Sequence, residues 1–88
     1  MFLHIGNKKS VKKRDIIGIF DLDTATVSEK TKEFLNKKEK ERLTEYADFD
    51  LPRSFILCKD RDKRFKVVFS RISTVGLKDR AEEYKTEE

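Results

Sequence analysis

Cysteine is nearly absent from this 88-residue chain, and Cys58 alone cannot close an internal disulfide. Long apolar runs are absent too: no stretch approaches the roughly 18–20 residues that a membrane span requires. The opening Met1-Phe-Leu-His-Ile5 is too short for the apolar core of a secretory leader, and its basic residues follow the apolar run instead of preceding it. These absences predict a cytoplasmic protein with no membrane partner. Histidine occurs once. Any Ser-His-Asp or Cys-His arrangement must use His4, which sits in a short apolar segment with only Cys58 as a thiol partner. No pair of residues has metal-ligand spacing, so no zinc site is expected. Cys58 lies in Phe-Ile-Leu-Cys, the setting of a buried cysteine acting as a small hydrophobe. Glycine is scarce, and Gly6, Gly18 and Gly76 are too scattered to cradle a phosphate. The sequence predicts no catalytic site, no metal and no cofactor, and a protein that works by binding other macromolecules.

What the chain has in abundance is charge. Charged residues make up 43% and hydrophobic residues 36%, but the apolar ones cluster in short runs, which predicts a folded chain. The length fits one domain over 1–88, with an ordered core over 1–80 and an acidic tail over 81–88 that frays. A domain this short buries only about 60–65% of its unfolded surface, so it has one small core. Net charge is +4, and its distribution is uneven. Residues 1–14 hold five cations (Lys8, Lys9, Lys12, Lys13, Arg14) and no acid, whereas residues 79–88 hold five acids against two cations. One end can face phosphates and the tail cannot.

The element pattern predicts an α+β fold: a small, mostly antiparallel sheet with one longer helix and one short C-terminal helix. Met1 to Ile5 reads as a strand closed by a Gly6-Asn7 turn. Lys8 to Arg14, with Val11 its only apolar residue, is an edge strand or a loop. Asp15 to Leu22 is the clearest strand. Ile17 and Ile19 share one face and Ile16, Phe20 and Leu22 the other, which predicts a central strand covered on both sides. Thr26 and Glu29 have capping-box spacing, with Ser28 as the other available cap, and a helix follows from about Ser28 to Glu45. Its apolar stripe is thin: Val27, Thr31, Phe34, Leu35 and Leu43. Ala47 to Pro52 is a connector. Arg53 to Lys59 and Arg64 to Ile72 form a hairpin across the charged turn Asp60 to Lys63. Ser73 or Thr74 caps a last helix with Val75, Leu77, Ala81 and Tyr84 inward. Apolar strand faces outnumber the helices able to cover them, so the leftover surface is expected to bury against another copy.

Two motifs bear on chemistry. Ile16-Ile-Gly-Ile-Phe-Asp21-Leu-Asp23 resembles the nucleophile strand of haloacid-dehalogenase-type phosphotransferases, in which the first Asp attacks phosphorus and Mg²⁺ bridges the pair. The match fails: Ala25 stands where that family has Thr, and the family needs a later Lys and an acidic pair after a further apolar strand, on a chain about twice this length. A strand ending in polar turn residues accounts for it. The basic features are the second motif. Lys8-Lys9-Ser-Val-Lys12-Lys13-Arg14 puts five cations in seven residues, and Arg53, Lys59, Arg61, Lys63, Arg64, Lys66 and Arg71 surround the hairpin. Such cations neutralise phosphates and release counterions, although charge alone also fits a solvated surface.

Met1-Phe-Leu-His-Ile-Gly-Asn7, Asp15-Ile-Ile-Gly-Ile-Phe-Asp21, Thr26-Val-Ser-Glu29, Phe34-Leu35, Pro52-Arg-Ser-Phe-Ile-Leu57, Ser70-Arg-Ile-Ser73-Thr74 and Leu77-Lys78 together resemble the RemA/RemB family of small bacterial extracellular-matrix regulators. The match covers Met1 to about Arg80. It implies a small α+β subunit, a homo-oligomeric ring, and double-stranded DNA bound along its rim to control biofilm matrix genes. The chain departs from the RemA pattern at Asp15, where an Arg is usual and Arg14 stands one earlier. It departs again at Asp50-Leu51, where an Arg pair is usual and only Arg53 persists. The expected reading is a homo-oligomeric DNA-binding transcriptional regulator that contacts phosphates through Lys12, Lys13, Arg14 and Arg53. An alternative is a self-assembling adaptor that does not bind DNA.

Overall fold

A computed structural model describes residues 2–6, 9–25 and 28–86, with side chains described to Arg80. The fold is α+β, as the sequence pattern predicts. Strand β1 (Phe2–Gly6) pairs antiparallel with β2 (Lys9–Lys12) as a separate ribbon, and a 3₁₀ turn (Lys13–Asp15) leads into β3 (Ile16–Asp21). Two helices, α1 (Leu22–Ala25) and α2 (Glu29–Lys40), precede β4 (Thr44–Tyr46). The hairpin β5 (Ser54–Lys59) and β6 (Phe65–Ser70) follows, then α3 (Thr74–Thr86). The main sheet has the order β3-β5-β6-β4, antiparallel except where β4 runs parallel to β6.

Side-chain alternation sorts the sheet into two faces. Ser54, Ile56, Cys58, Val68 and Ser70 point to the core, where Leu3, Ile5, Ala47 and Leu77 meet them. Leu3, Ile5, Ile56, Val68 and Leu77 are fully buried, each burial worth about 1.5–3 kcal/mol relative to exposure. The ribbon and α3 thus cover this face, while α2 contributes no buried residue. Two buried hydroxyls tie the cover down. Ser70 Oγ donates to the Ile5 carbonyl at 2.5 Å, and Ser54 Oγ donates to the Ile72 carbonyl at 2.6 Å. At Gly6 the ribbon passes so close to β4's end that a Cβ there would lie 2.8 Å from Ala47 Cβ and 2.5 Å from Asp48 Oδ2.

Four expectations are corrected. The strand expected to be central, β3, lies at the sheet edge. A bulge between Ile16 and Gly18 puts Ile16 and Ile19 on the core face together and leaves Ile17 as the extra, half-exposed residue. The long helix ends at Lys40, not Glu45, and Thr44–Tyr46 is a strand. Val75 faces solvent. Ser28 is the α2 cap, its Oγ accepting the Thr31 amide at 3.5 Å. Asn7, Thr26 and Val27, the side chains of Ala81 and Tyr84, and Glu87 and Glu88 lie outside the described residues.

The opposite face carries one row of rings. Phe20, Phe55, Phe69 and Tyr46 are cross-strand partners in sequence across all four strands. Their centroids lie 5.1, 6.4 and 4.7 Å apart, the outer two contacts stacked and the central one tilted. Phe20 can lie flat because its neighbour is Gly18, where a Cβ would come within 2.8 Å of the ring. The two end rings are open to solvent, and Phe49 and Leu51 extend the apolar surface into the connector. At the far end of this face Lys38 of α2 lies over the Phe34 and Phe65 rings.

Candidate nucleic-acid interface

The strand directions gather charge at one end of the sheet. Ile16 pairs with Cys58, Lys59 with Phe65, and Thr44 with Val67. The starts of β3, β4 and β6 and the end of β5 therefore lie at one edge, joined there by the end of β2. Between them runs an open groove of about 1000 Å³. Nine basic side chains line it: Lys9, Lys12, Arg14, Arg42, Lys59, Arg61, Lys63, Arg64 and Lys66. Four acids oppose them: Asp15, Glu45, Asp60 and Asp62. Leu43 and Cys58, both buried, give it an apolar floor.

The acids are committed to some of the cations. Glu45 bridges Lys9 and Lys66, with Lys66 Nζ at 2.9 Å. The Lys9 ammonium holds its carboxyl below the usual value; partial burial opposes this and Lys66 reinforces it. Asp60 organises the β5–β6 turn. Its Oδ1 accepts the Asp62 and Arg64 amides at 2.9 Å each, and its Oδ2 accepts Arg64 Nε at 3.0 Å. The Arg64 amide, first among these donors, keeps the Asp60 carboxyl low. Arg64 also reaches Asp62, at 3.5 Å. Arg14 Nε stands 4.0 Å from Asp15. Burial pushes the Cys58 thiol up, which favours its neutral form on the groove floor. Lys12, Arg42, Arg61 and Lys63 line the groove and make no side-chain ion pair or hydrogen bond among the described residues. Together the lining can hold a chain of anionic oxygens, with Arg forks for bidentate contacts.

The four residues singled out from sequence are divided by the fold. Lys12 ends β2 and Arg14 follows in the 3₁₀ turn; both are exposed and both line the groove. Lys13 between them is half-buried and off the groove lining. Arg53 stands before β5, whose six residues separate it from Lys59 by about 20 Å at the usual strand rise. It lies among Asp21, Asp23, Asp48 and Asp50 at the other end of the sheet, where Arg71 is paired with Asp48 and Asp50. The chain is thus basic at one end of its strands and acidic at the other. Asp21, the first carboxylate of the phosphotransferase-like motif, accepts the Thr24 amide at 3.1 Å and so caps α1. Among the described residues no group of three His, Cys, Asp or Glu side chains is placed to hold a metal ion.

Sequence reasoning missed Arg42 as a groove residue. It ends a run of alternating charges, Lys37-Lys-Glu-Lys-Glu-Arg42, and only the parallel β4–β6 pairing brings it beside the turn cations. No described helix is long and apolar enough to cross a membrane. In comparisons with known proteins, no family model matches this chain and no curated protein matches it.

Proposed function

We infer that the chain is a homo-oligomeric DNA-binding transcriptional regulator that acts in the cytoplasm. The observation that carries this reading is the basic groove, where cations from β2, the 3₁₀ turn, the start of β4 and the β5–β6 turn converge with an excess over acids. Contacts of that kind go to phosphates and carry little sequence information, so sequence selection would come from DNA shape. The resemblance to matrix-gene regulators gives the biological direction, extracellular-matrix operons. Self-association is supported by the open aromatic row, with Phe20 and Tyr46 exposed at its ends. Repeating one groove around an oligomer would turn a modest patch into a continuous track for DNA.

The same aromatic row favours the second reading, a self-assembling adaptor with no nucleic-acid partner. DNA binding by Lys12→Ala, Arg14→Ala and Arg53→Ala variants of unchanged oligomeric mass separates the two. On the DNA reading the first two each weaken binding and reduce the salt slope by about one. Arg53→Ala, outside the groove of its own subunit, leaves the slope near that of the parent. If the Lys12 and Arg14 variants bind like the parent, the groove is not the interface and the adaptor reading replaces it.

A further inference from the structure

Two residues of the described chain have left-handed backbone without being glycine: Arg42, with φ of 60°, and Lys63, with φ of 62°. Both line the groove. Each occupies a position where the local hydrogen bonds call for glycine. After α2, the Leu43 amide donates to the Lys38 carbonyl at 2.9 Å and the Arg42 amide to the Glu39 carbonyl at 3.0 Å. That pair of bonds is the Schellman helix ending, with Arg42 at the residue that is usually Gly. In the β5–β6 turn the Lys63 amide donates to the Asp60 carbonyl at 3.0 Å, and Lys63 is the left-handed residue that returns the chain to β6. Side chains at such positions crowd the following carbonyl, and glycine avoids that cost. The chain keeps long cations at both, and neither has an ionic partner among the described residues. The fold also brings the two together, because β4 and β6 start at the same sheet end and the Val67 amide binds the Leu43 carbonyl at 2.9 Å.

We propose that Arg42 and Lys63 are phosphate-contacting residues of the groove, retained at left-handed positions where glycine would fold better. This rests on the reading that the groove takes DNA phosphates, and it adds two contacts to the set Lys12, Lys13, Arg14 and Arg53: Lys63 from the cations around the hairpin, and Arg42 from outside the basic runs of the sequence. Backbone strain kept at a binding surface is a trade of stability for function.

The test uses the full chain carrying Arg42→Gly, Lys63→Gly and both, with thermal midpoint, oligomeric mass and duplex-DNA affinity read across salt. The expected result is an equal or higher midpoint, unchanged mass, weaker binding in each single variant, and a salt slope smaller by about one per site. Arg42→Asn and Lys63→Asn, which tolerate the same backbone, should lose binding in parallel and exclude a loosened loop as the cause. A lower midpoint in both glycine variants overturns the trade. DNA affinity and slope unchanged in both overturns the contacts; if Lys12→Ala and Arg14→Ala still weaken binding, the groove reading survives without them. A parent chain that binds no DNA at low salt defeats both.

Discussion

Glu45 shows how much of the groove depends on single carboxylates. It sits between Lys9 and Lys66, and its carboxyl is held below the ordinary 4.5. Its folded value is depressed, so its contribution to stability is complete above 4.5 and is lost as pH falls through the lower folded value. The stability difference between the parent and Glu45→Gln should be constant at neutral pH and shrink in acid below about 4.5. Denaturant titrations at a series of pH values read this directly, and a difference that stays flat into acid would show that the bridge has no net worth. Asp60 titrates in both proteins and cancels. At this scale the sequence was a good guide to which side chains are cationic and a poor guide to where they stand. Lys12 and Arg14 stand just before the start of β3, which is an edge strand and not the central one expected. Arg53 was joined to them by the family resemblance, and the length of β5 sets it at the other end of the sheet.

The elements were legible where a run of apolar residues marks a strand and obscure where tertiary pairing decides. Phe55 to Cys58 and Phe65 to Phe69 announce their hairpin. By contrast Thr44–Tyr46 has three residues and follows a charged helical run, and nothing local marks the break because Arg42 occupies the place where glycine would signal a helix stop. The two-sided apolar pattern of β3 suggested a central strand; the bulge at Ile17 explains the pattern differently, by turning one isoleucine outward at an edge. The cover on the core face was also unforeseen, since a five-residue strand does more of it than a twelve-residue helix. The bond from Ser70 to Ile5 ties that strand to β6, beside the Arg80 Nη1 bond to the His4 carbonyl, and Ser70 Oγ also accepts the Ile72 amide at 3.1 Å. Ser70→Ala leaves a buried carbonyl unpaired and should cost roughly 1–3 kcal/mol. Urea unfolding should show a lower midpoint with unchanged slope; an unchanged midpoint would mean that the ribbon is held by Leu3 and Ile5 packing and the Arg80 bond.

The whole molecule has three distinct surfaces: a basic groove at one strand end, an acidic opposite end, and an aromatic face. Two edge strands and exposed rings at both ends of the row leave apolar surface that one copy does not cover. Light scattering at micromolar concentration should therefore give a mass several times the 10.4 kDa of one chain, and Phe20→Ser with Tyr46→Ser should lower it. A clean monomer for the parent chain would remove the oligomer from the account. The charge separation between the two ends could not be read from composition, because it arises only when parallel and antiparallel strands bring distant residues level.

On the proposed reading the groove grips the phosphates of duplex DNA. The most direct measurement is the affinity of the unmodified chain for a duplex of arbitrary sequence, followed as salt is raised. Binding is expected at low salt and should weaken linearly on logarithmic axes, by about 0.9 in slope for each phosphate engaged, with several phosphates engaged per oligomer. No binding at low salt, or an affinity that does not respond to salt, would contradict it.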